Sequence, residues 1–62
     1  MITPLAMLTS PAAMAVRAMR VANAKGEAGD TAGMIRNADR ASMFMSLPGY
    51  SYDEFVALGG MD

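Results

Sequence analysis

Sixty-two residues with eight Met, no Cys, His or Trp, and a formal charge of −1 leave room for one domain at most. Without Cys no disulfide forms, and without Cys or His a structural zinc site lacks its usual ligands. The commonest general base and the best thiol nucleophile are missing as well, so the chain reads as a non-enzyme with no cofactor, metal or small-molecule substrate.

Twenty of the thirty-three apolar residues are Met or Ala. Ala lets helix backbones approach closely, and Met fills irregular gaps with an adaptable thioether chain. That mixture suits a helical surface moulded onto another protein better than a self-sufficient core. A chain of this length buries only about 60% of its unfolded surface. Oligomerisation, a partner surface or a membrane then remains to stabilise it.

Residues 1–16 carry no charged side chain. Thr3-Pro4 is a helix-start signal, so a short turn is expected over residues 4–9. Ser10-Pro11 repeats the signal more strongly, with a hydroxyl to cap and a proline suited to the first helical position. The first helix is therefore expected over residues 11–25, stopping near Gly26, with Lys25 complementing the dipole in its last turn. At about 100° per residue, Ala15, Ala18 and Ala22 gather on one side, with Met14, Val21 and Met19 at its margins. Small residues at i and i+4 permit close helix packing. Arg17 and Arg20 lie near each other on another side.

GEAGDTAG, residues 26–33, reads as a connector. Its Gly26, Gly29 and Gly33 lack the Lys-Ser/Thr and the preceding strand of a phosphate-binding loop. Asp30 is the expected N-cap of a second helix over residues 31–46. There Met34, Ala38, Ala41 and Met45 recur at i, i+4, i+7 and i+11, flanked by Ile35 and Ser42. Arg36, Asp39 and Arg40 occupy the opposite side, with Arg36 and Asp39 spaced to pair. Two Ala-centred stripes joined by a short connector predict an antiparallel helical hairpin.

Pro48-Gly49 marks a turn. Ser51 and Glu54 then form a capping box, with Tyr50 placed to staple onto Phe55, and a short third helix is expected over residues 52–58 before Gly59-Gly60. It either folds back on the hairpin or stands out as an anchor, and the small size favours folding back. The fold class is thus all-α, one helical module ordered mainly by packing on partner proteins.

Chemistry elsewhere is sparse. Asp53 and Glu54 serve the cap and dipole of the third helix. Met43 and Met45 fall on different faces, which removes the closest-spaced pair for a soft metal. Five cations offset by six acids give a weak footprint for nucleic acid, confined to phosphate contact by Arg17, Arg20, Arg36 and Arg40 if the hairpin aligns them. Charge along the chain runs neutral, basic, mixed, acidic, a polarity that can set orientation in an assembly.

These readings lead to one expectation: a small helical structural or accessory subunit packed against larger proteins or copies of itself, as in a virus particle or a multi-subunit complex. Met14, Met19, Met34, Met45, Tyr50, Tyr52, Phe55 and Leu58 are the expected partner contacts. Ala15, Ala18, Ala22, Ala38 and Ala41 are the expected helix–helix contacts. Two alternatives stand beside it: a membrane-associated protein using residues 1–16, or a small inhibitor occupying one partner's groove. Residues 1–16 fall short of the roughly 20 needed to span a bilayer. They also lack the basic start of a signal peptide. The cytoplasm or an assembled particle is accordingly the expected location.

Overall fold

The computed structural model describes residues 10–61, so the turn expected over residues 4–9 lies outside the described residues. Among the described residues the architecture is all-helical: α1 is Pro11–Glu27, α2 is Thr31–Met45 and α3 is Tyr52–Ala57.

The start of α1 follows from two residues. Ser10 is extended (φ −67°, ψ 151°) and its Oγ accepts the Ala13 N–H at 3.1 Å, while Pro11 supplies a preset φ where no donor is needed. The end of α1 differs from the expected stop near Gly26. The helix continues to Glu27, and the chain leaves it at Gly29, with φ +82°. The Asp30 N–H donates to the Lys25 carbonyl at 2.8 Å and the Gly29 N–H to the Gly26 carbonyl at 3.1 Å. That is a Schellman closure, which needs a left-handed residue one position past the cap. Gly26 stays helical and faces the flexible Met34 side chain. A Cβ there would sit 2.9 Å from Met34 Sδ, where α2 passes.

The connector therefore shortens to Ala28–Asp30, and Asp30 works at both ends of it. Its Oδ1 accepts the Gly33 N–H at 2.9 Å, capping α2, and its Oδ2 lies 3.9 Å from Lys25 Nζ. Both side chains of that pair are about half exposed, so it contributes little beyond the cap. Gly33 is what admits the cap: a Cβ there would overlap the Asp30 carboxylate. The pair expected between Arg36 and Asp39 does not form; Lys25–Asp30 is the ion pair seen among the described residues.

Helix α2 ends at Met45, capped by Ser46, and α3 ends at Ala57, capped by Leu58, each one residue short of its expected bound. Ser51 Oγ accepts the Glu54 N–H at 3.3 Å, and the Tyr50 and Phe55 rings stand 6.1 Å apart and tilted, fixing how the chain enters α3. A second Schellman closure ends α3, with Gly59 at φ +89° and the Gly60 N–H donating to the Phe55 carbonyl at 2.9 Å.

Helices α1 and α2 pack as an antiparallel hairpin. Gly26 meets Met34 at the closed end, and Met14 shares a groove with Phe44 near the open end. The loop after α2 returns over the start of α1, bringing Gly49 beside Pro11, and α3 folds back onto α1. Phe55 is buried with Ala12, Ala15 and Val16, and Met19, Phe44, Met45, Tyr50 and Leu58 close around this cluster. The N-terminal half of α1 is thus covered by α2 on one side and α3 on another. The body measures 41 × 19 × 18 Å.

Candidate interaction surface

Small side chains make up most of the interior. The buried apolar residues are Ala12, Ala13, Ala15, Val16, Ala18, Ala22, Ala41 and Phe55, and among the described residues no large side chain is fully buried. Burying a methyl group stabilises by only about 0.8 kcal/mol, so an alanine seam brings helices close without contributing much apolar area. Of the residues expected at the helix–helix contact, Ala15, Ala18, Ala22 and Ala41 are buried and Ala38 is half-buried at the edge. The inner face of α2 is rotated slightly from the expected stripe. Phe44 takes part in it, packed against the core cluster, and Asn37 is half-buried with its amide donating to the Gly33 carbonyl at 2.8 Å. Neither belongs to a stripe of Met and Ala at i+4 steps, so that pattern hides both.

The expected partner contacts divide into groups. Phe55 is corrected outright: at 4% exposed it is the largest side chain of the interior and cannot serve as an outward anchor in this fold. The staple fixes how the chain enters α3, and the ring turns inward where it meets Ala12, Ala15 and Val16 of α1. Met19, Met45, Tyr50 and Leu58 are half-buried against the same cluster. Met34 is half-buried beside Gly26, and Met14 lines a groove described below. Tyr52 points outward at 60% exposed.

Other large apolar side chains are more exposed than these methionines. Val21, Ile35, Met43, Leu47, Val56 and Met61 are between 42% and 66% exposed. Val56 follows Tyr52 by four residues and shares its side of α3, a spacing visible in the sequence. Ile35 and Met43 lie on the side of α2 turned away from α1.

The four arginines border three depressions that share residues. Arg20 Nη2 donates to the Leu58 carbonyl at 3.3 Å, tying α1 to the C-terminal end of α3. Arg17 and Arg40 instead border a groove of about 200 Å³ between α1 and α2, whose walls include Met14, Ala18, Val21 and Phe44. Arg36 joins Arg40 and Asn37 around an adjoining depression. Arg17 links the two groups, because with Arg20 and Leu58 it also borders a depression between α1 and α3.

No helix among the described residues is long and apolar enough to cross a membrane. Within the uncharged N-terminal stretch, Ala12, Ala13, Ala15 and Val16 are buried in the protein itself. No known protein family, curated protein or solved structure matches the chain.

Proposed function

We propose that this chain is a small non-enzymatic structural or accessory subunit that completes its own apolar burial against other protein surfaces in a larger assembly. One imbalance carries the reading. Among the described residues the buried apolar set is six alanines, one valine and one phenylalanine, with larger side chains only half-buried around it, while seven large apolar side chains remain 42–66% exposed. Scattered exposed apolar residues are ordinary on any surface. Here they outweigh the buried ones in size, and the interior lacks the bulk that usually stabilises so short a chain. The same alanine seam gives a thin, close-packed rod whose outer faces are available for neighbours. A virus particle or a multi-subunit complex would use such a rod as filler or cement.

Native mass spectrometry of complexes purified from the source cells tests this directly, with liposome flotation as its companion. The chain is expected in stoichiometric complexes with protein and in the bottom fraction of the gradient. Recovery as a free monomer, or flotation with lipid, would overturn the reading.

A further inference from the structure

The groove between α1 and α2 has an apolar floor and a basic rim, and α3 carries a surface of complementary character. Met14, Ala18 and Val21 from α1 and Phe44 from α2 supply its apolar lining; Arg17 and Arg40 border it, with Arg36 beside Arg40. A suitable occupant presents large apolar side chains next to a carboxylate. Glu27 is flanked by Gly26 and Ala28, Asp30 is engaged in the α2 cap, and Asp39, set between exposed Ile35 and Met43, would bring its own Arg36 and Arg40 against the basic rim. Asp53 is an exposed carboxylate set beside two exposed large apolar groups, Tyr52 at 60% and Val56 at 42%, on the outward side of α3, a helix that carries no basic residue.

We propose that this groove receives the outward side of α3 from a second copy of the chain, Tyr52 and Val56 lying on its floor and Asp53 facing Arg36 and Arg40. The contact is intermolecular by geometry. Within one chain α3 covers the Ala12–Val16 side of α1, whereas the groove opens on the Val21 side. Each copy therefore offers one groove and one α3, a head-to-tail contact that closes into a ring or continues as a filament. The uncharged residues 1–9 suit the floor but bring no carboxylate to the rim, which favours α3 as the occupant. This rests on the reading of the chain as an assembly subunit and names its partner.

Sedimentation velocity on the full chain, from low micromolar to submillimolar concentration, tests it with Asp53→Lys and Arg40→Glu. The wild type is expected to associate, less so at high salt. Each single change sets like charges together and is expected to weaken association by about tenfold or more. In a mixture of the two variants, the introduced lysine of one meets the introduced glutamate of the other. The unchanged Asp53 and the unchanged Arg40 pair in the same way, so association returns. Association that ignores both changes, or that stays lost in the mixture, overturns the α3-to-groove contact and leaves the subunit reading intact. A wild type that remains monomeric overturns it too, and a circular-dichroism melt of that monomer then separates the cases: a sharp transition sinks the subunit reading as well, a broad one does not.

Discussion

Glycines at three positions look alike in the sequence and do different physical work. At Gly26 a new methyl would meet the far end of the Met34 side chain, which can swing aside. Replacing a helical Gly by Ala recovers about 0.5–1 kcal/mol of backbone entropy, so Gly26→Ala is expected to raise the melting temperature slightly. Gly29→Ala forces a left-handed residue to carry a Cβ and is expected to cost on the order of 1 kcal/mol. Gly60→Ala drives a methyl into the Phe55 ring, which is held on its other sides by Ala12, Ala15 and Val16, and is expected to lower the melting temperature more than either. Thermal melts of the three variants check both the signs and the order. The sequence could not assign these roles, because the grammar of helix ends marks a Gly near the stop without saying which one turns left-handed. Phe55 belongs at the same scale. Truncating it to Ala removes the largest buried side chain, and losses for such changes run to about 3–5 kcal/mol, enough to undock α3. Loss of the tertiary circular-dichroism signal of Tyr50, with α1 and α2 helicity largely kept, is the expected result.

At the scale of elements, the caps were the most legible feature because they are local. Ser10, Asp30 and Ser51 each accept a backbone N–H three residues on, as hydroxyl and carboxylate oxygens before a helix do. Asp30 bears more on the fold than its two counterparts, since its cap also sets the turn that makes the hairpin. Asp30→Ala is expected to cost about 1 kcal/mol, and Gly33→Ala less, because displacing the same carboxylate is partly offset by about 0.5–1 kcal/mol of recovered backbone entropy. Chemical denaturation of the two single variants and the double variant checks this: the double should lose no more than Asp30→Ala alone, because the carboxylate that the new methyl would displace is already gone. The direction in which α3 folds was harder to read. The Tyr50–Phe55 staple fixes entry into the helix, but the fold-back depends on Phe55 finding the small residues of α1 and on Arg20 reaching the Leu58 carbonyl across thirty-eight positions. Neither contact has a local signature.

For the whole molecule, the alanine and methionine content foretold the two-helix seam and the shortage of bulk inside it. It did not foretell which apolar residues stay outside. Methionine's adaptability suggested Met14, Met19, Met34 and Met45 as outward contacts, yet three helices sharing one small interior draw all four partly inward. The exposed set instead follows from where each helix runs out of neighbours: Ile35 and Met43 on the far side of α2, Tyr52 and Val56 on the far side of α3. The arginine grouping was partly a product of tertiary arrangement: helical spacing placed Arg17 with Arg20, which share a depression beside Leu58, while the fold brings Arg17 to Arg40.

A protein whose interior is mainly alanine should owe its stability to its neighbours, and stability linked to association depends on concentration by mass action. Thermal unfolding of the isolated chain, followed by circular dichroism over a thousandfold range of concentration, measures that dependence. A melting temperature that climbs with concentration, above a broad and weakly cooperative transition at the dilute end, is the expected result. One sharp transition at the same temperature throughout, from a species sedimenting as a monomer, would contradict it.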